Sequence, residues 1–108
     1  MNDDTPEIPV YMIANLFIQD AAEYRNYENG FFLILKRHSG QFLTFDDTPH
    51  TFEGSAPRQG RMIIFTLPSE ADATRWCADP DYQALSAHRR RGTELAFLTI
   101  VRGLPPRS

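Results

Sequence analysis

Apolar side chains recur along this chain at two different periods, and the switches between them outline the fold. In Val10–Ile18 the even positions Val10, Met12, Ala14, Leu16 and Ile18 are all apolar, and so are the odd positions apart from Asn15. A strand apolar on both faces is expected to be covered on both. The period then lengthens: Tyr24, Tyr27, Phe31, Ile34 and Leu35 recur at spacings of three and four and share one face of a helix expected over 20–38. Asp20 is its N-cap, with Glu23 three residues on as in a capping box. Ser39-Gly40 ends the helix, Gly40 being the residue suited to a left-handed cap. Gly30, in mid-helix, costs about 1 kcal/mol relative to alanine and is expected to bend it.

The shorter period returns at 41–45 and again at Arg61–Leu67, where Ile63, Phe65 and Leu67 oppose Met62 and Ile64. The intervening 46–59 is turn-rich, with a short strand expected at 51–53. Ser69 caps a second helix with acids in its first turn. Asp79-Pro80 interrupts that helix and starts a new segment carrying Tyr82, Leu85 and Arg89 on one face. A last strand, 94–102, sets Leu95, Phe97, Thr99 and Val101 opposite Ala96, Leu98 and Ile100. Residues 1–9 and 104–108 lack periodicity and read as tails around a single domain, 10–103.

The order is β-α-β-β-α-β, the α+β arrangement called ferredoxin-like, with both helices on one face of a four-stranded antiparallel sheet. Two helices cover only one face, yet three strands are apolar on both. The uncovered face would be a large exposed apolar patch. A homodimer with its two sheets face to face, forming an α/β barrel, removes the patch.

Composition narrows the function. With 108 residues, 42% of them hydrophobic, the chain can bury a core. Eleven basic against fourteen acidic residues leave a net charge of −3, which disfavours nucleic-acid binding. No apolar run is long enough to span a membrane. The single Cys77 excludes an internal disulfide, and the N-terminus lacks a secretory pattern; both fit a cytoplasmic protein. Glycine-rich nucleotide loops, G-x-S-x-G and H-E-x-x-H are absent, so no cofactor is expected.

A set of short motifs, in order, resembles a known family. Tyr11-Met-Ile-Ala-Asn15 opens the first strand, and Tyr24 and Tyr27 follow on the first helix. Then come Ser39-Gly40-Gln41-Phe42-Leu43, Phe52-Glu53-Gly54, Arg61-Met-Ile-Ile-Phe65, Pro68-Ser69, Trp76-Cys77, Asp79-Pro80, Tyr82-Gln83 and Arg89. Together they resemble the domain-of-unknown-function 1330 family of the dimeric α/β-barrel superfamily over about residues 10 to 103. The resemblance implies the fold and the dimer. It leaves function open, because the superfamily includes cofactor-free monooxygenases, isomerases, haem proteins and ligand sensors. The chain departs from the family where Phe45-Asp46-Asp47 stands for Arg-Gly-Gly, Ser39-Gly40 for Gly-Gly, and Trp76-Cys77 for Trp-Tyr. The first departure removes a positive charge near the expected cavity.

Candidate chemistry is sparse. Asn15 is the one polar residue inside a two-sided apolar strand, and a buried amide needs partners in a cavity, a loop or a second subunit. Tyr24 and Tyr27 are core aromatics whose hydroxyls need partners too. Arg61 and Arg89 are each able to hold a carboxylate or to form an ion pair. His50 and Glu53, in the long loop, are the candidate bases. Asp46, Asp47 and His50 imitate metal ligands, but no second histidine stands at useful spacing, so no metal is expected. Two readings follow. In one, Asn15, Tyr24, Tyr27, Arg61 and Arg89 orient a small organic molecule that His50 or Glu53 deprotonates, in an isomerase-like or cofactor-free oxygenase-like reaction. In the other, the same groups bind a ligand without catalysis. A purely structural dimer would instead have a filled interior.

Overall fold

The computed structural model describes residues 7–105; residues 1–6 and 106–108, the outer parts of the two expected tails, lie outside the described residues. The elements run β1 (Val10–Ile18), α1 (Ala21–Arg37), β2 (Gln41–Asp46), β3 (Arg61–Leu67), α2 (Glu70–Ala78), α3 (Pro80–Gly92) and β4 (Thr93–Arg102). The strands form one antiparallel sheet in the order β2-β3-β1-β4. This is the ferredoxin-like α+β fold, its second helical segment divided at Asp79. That residue serves both pieces: its N–H donates to the Trp76 carbonyl at the end of α2, and its carboxylate accepts from the Asp81 N–H at the start of α3.

The sheet's two faces separate as the pattern requires. Val10, Met12, Ala14, Leu16, Ile63, Phe65 and Leu67 are buried and join Tyr24, Tyr27, Phe31, Ile34, Leu35 and Trp76 in one core. On the other face the register sets Tyr11 between Thr66 and Val101, Ile13 between Ile64 and Thr99, and Asn15 between Met62 and Phe97. No helix of the described chain covers these rows, and Tyr11 and Val101 remain 39% and 46% exposed. Among the described residues, no helix is long and apolar enough to cross a membrane.

Three local expectations need correction. A bulge at Asn15/Leu16 pairs Leu16 with Leu95 and Asn15 with Phe97, leaving Ala96 as the extra residue. Leu95 therefore turns to the core side with Leu98, because a one-residue insertion reverses strand alternation. No strand forms at 51–53: residues 47–60 loop out with no neighbouring strand to pair with, and Phe52 is 91% exposed. The left-handed residue after α1 is Ser39, at φ 64°, not Gly40. Gly40 serves close packing instead, since a Cβ there would overlap the Leu35 side chain. Helix α1 is continuous through Gly30, whose missing side chain makes room for Leu85: a Cβ there would come within 2.9 Å of Leu85 Cδ1. The capping box is half formed. Asp20 accepts the Glu23 N–H, but the Glu23 carboxylate turns to His88 and Arg91 of α3.

Candidate functional site

Helix α1 and the sheet do not close completely. Between them lies a cavity with about 70 Å³ of free interior, several times what one water needs. Its floor is Ala14, Leu16, Ile63 and Phe65 of the sheet, joined by Leu95 and Leu98 of β4. Trp76 of α2 and Tyr82 and Arg89 of α3 close the far end. Phe31 stands edge-on to Phe65 at 5.3 Å and to Trp76 at 6.3 Å between ring centres. Such a cage favours a flat apolar guest, whose ring edges and faces both find partners.

The polar groups on the lining are few. The Tyr27 and Tyr82 hydroxyls hydrogen-bond each other at 3.0 Å. Burial pushes both phenols above their ordinary value, and the nearby Arg89 only partly opposes it. They therefore stay protonated and serve as hydrogen-bonding groups. Burial raises Tyr24 as well, against the pull of Arg61.

The two arginines are in opposite situations. Arg61 sits at the mouth and is saturated: its Nε and Nη2 donate to the two Asp47 oxygens at 2.6 and 3.1 Å, and its Nη1 donates to Glu28 at 3.1 Å. Its guanidinium also lies 4.3 Å from the centre of the Phe45 ring. These hydrogen bonds hold the Asp47 carboxyl below its ordinary range. Arg89 is only 9% exposed, and among the described residues no carboxylate pairs with it. Its Nε has no hydrogen-bond partner, and neither has the wholly buried Trp76 indole N–H. The Arg89 charge lies 5.9 Å from the centre of the Tyr27 ring, and Tyr82 is near it too.

Of the residues singled out from sequence, Tyr24, Tyr27, Arg61 and Arg89 meet on this cavity. Asn15, His50 and Glu53 are not on its lining. Asn15 of β1 is wholly buried, and its Nδ2 donates to the carbonyls of Gln59 and Arg61 at 2.8 and 3.2 Å, tying the end of the long loop and the start of β3 to β1. His50 packs on Phe52 out in that loop, and Glu53 is exposed. The lining holds one carboxylate, Glu28, and no histidine or cysteine. Among the described residues, no three metal-binding side chains cluster. Sequence reasoning passed over Glu28 and the indole of Trp76 as site groups. Glu28 lies one residue after Tyr27 and carries no motif. Asp47, which in the sequence departs from the family pattern and imitates a metal ligand beside Asp46 and His50, is instead the partner of Arg61.

Comparison with known proteins agrees with this architecture. No curated protein sequence matches the chain. Among solved structures, RPA0582 of Rhodopseudomonas palustris, a protein of unknown function, shares the fold at a TM-score of 0.68 with 18% identity, covering 97% of this chain and 87% of its own. SnoaB of Streptomyces nogalater, a cofactor-independent oxygenase, is similar at a TM-score of 0.61 with 11% identity, covering 94% and 96%. HapK of Hahella chejuensis gives 0.58 with 13% identity, covering 92% and 96%. At these identities the likeness is one of fold. The model of the family called domain of unknown function DUF1330 matches residues 9–104, almost the whole chain, and the chain belongs to that family.

Proposed function

We propose that the protein binds a small organic molecule in the cavity between α1 and the sheet, with its own side chains as the binding groups, and that it works as a homodimer. The observation that carries the binding reading is the open space itself. A core walled by Phe31, Phe65, Trp76 and Tyr82 keeps about 70 Å³ free where ordinary packing would fill it. The mouth, flanked by the exposed Phe32 and Phe45, opens to solvent and gives a guest a way in. Dimerisation is supported by the bare apolar rows of the opposite sheet face. A cytoplasmic location fits the single unpaired Cys77.

Binding accounts for the lining better than proton-transfer catalysis does. A general base must lie within about 3 Å of the proton it removes. His50 and Glu53 lie outside the lining, and Glu28 is held at the mouth by Arg61. SnoaB's description as a cofactor-independent oxygenase points to an enzymatic counterpart of the same scheme.

Native mass spectrometry of the protein as purified from cells tests the reading. The expected result is a dimer carrying a defined small mass. That mass is lost in Leu98→Trp, which fills the cavity while far-UV circular dichroism stays unchanged. Absence of any bound mass, together with no thermal shift from flat aromatic molecules, would sink the binding reading. Release of a chemically altered molecule would move the protein to the enzymatic counterpart.

A further inference from the structure

The cavity's charges do not balance. On its lining Arg61 is answered by Glu28 and, just outside, by Asp47. Arg89 is answered by nothing among the described residues. A guanidinium nine-tenths removed from water, with an unused N–H, is costly unless a counter-charge reaches it. Trp76 adds a second buried N–H without an acceptor. Both unused groups are donors, and both lie on the lining of one cavity.

Resting on the binding reading above, we propose that the ligand is a planar organic acid. Its carboxylate is taken by Arg89, and its flat unsaturated body lies among the rings of Phe31, Phe65 and Trp76. Arginine's fork matches a carboxylate through two parallel N–H bonds. One unmatched positive charge fits a monoanion. Phosphate or sulfate, with more charge and more acceptor oxygens, would find no second unpaired cation on the lining, since Arg61 is taken by Asp47 and Glu28. The free interior takes the acid group and part of a ring, and the rest of the ligand lies in the mouth beside Phe32 and Phe45.

The test compares benzoate with benzamide, its neutral isostere, by calorimetry on the intact protein. Benzoate is expected to bind at least tenfold more tightly. Arg89→Met is expected to abolish that preference, weakening benzoate at least tenfold more than benzamide. Arg89→Lys, which keeps the charge and loses the fork, retains a weakened preference. The ligand-free Arg89→Met protein is expected to melt no lower than the wild type, since it loses an unpaired buried charge. A lower melting temperature would mark Arg89 as a structural residue and overturn the proposal. Equal affinity for the two probes, or a preference surviving in Arg89→Met, would overturn the acid ligand and leave the cavity reading standing. If neither probe binds, the acid proposal falls, and a defined bound mass in native mass spectrometry decides whether the cavity reading stands.

Discussion

Single residues divide here into those whose surroundings satisfy them and those left with unmet bonding. The Tyr27–Tyr82 hydroxyl pair belongs to the first group. Tyr27→Phe is expected to destabilise the protein by about 1–3 kcal/mol, because it strands the Tyr82 hydroxyl in the core. Tyr82→Phe is expected to do the same to Tyr27. The double variant should cost less than the two singles combined, since no orphan then remains. Urea denaturation of the four proteins measures this, and strict additivity would show that the hydroxyls do not interact. Asn15 belongs to both groups: its amide nitrogen ties the end of the 47–60 loop and the start of β3 to β1, while its buried Oδ1 has no hydrogen-bond partner among the described residues. Its burial was legible in the strand pattern. The partner was not, because Gln59 is 44 residues away and an amide's need for a bond does not say where the bond goes.

At the scale of elements, the joint between the end of α1 and the α2–α3 corner is an ionic one. Asp79 accepts from His38 at 2.8 Å and from Arg37 at 3.0 Å, besides capping α3. The hydrogen bond from His38 first, and then the Asp81 N–H, bring its carboxyl down to about 2 from an ordinary 3.8. The native state therefore binds the proton less readily than the unfolded chain. The stability this ionisation contributes is fully present above about pH 3.8 and is lost as pH falls through about 2. The urea midpoint is expected to drop between pH 4 and 2, and to drop less steeply in Asp79→Asn. Parallel profiles for the two proteins would remove Asp79 from the account. The elements themselves were readable almost to the residue, since Asp20, Ser69 and Asp79-Pro80 are local start signals and the apolar faces repeat at helical or strand period. What misled at this scale was also local. The β4 bulge at Ala96 has no signature in β4 alone, because it arises from how β4 meets β1.

For the whole molecule, the decisive feature is a sheet covered on one face only. Ile64 sits mid-sheet on the bare face, paired with Ile13. Ile64→Asp is expected to convert the proposed dimer to a monomer with an unchanged circular dichroism spectrum, read by light scattering after gel filtration. A wild-type monomer, or a dimer indifferent to this charge, would remove the face-to-face arrangement. The sequence by itself determined the order of elements, the two-sided strands and hence the bare face, because period, capping and proline placement are properties of neighbouring residues. Only the tertiary structure decided the site. Arg61 and Arg89 look alike in the chain. One finds Asp47 and Glu28 across 14 and 33 residues, and the other finds no acid among the described residues. The open space among the rings and the distance of His50 and Glu53 from it were decided there too. Charge pairing and free volume depend on which distant side chains come to fill the same space, and no local pattern records that.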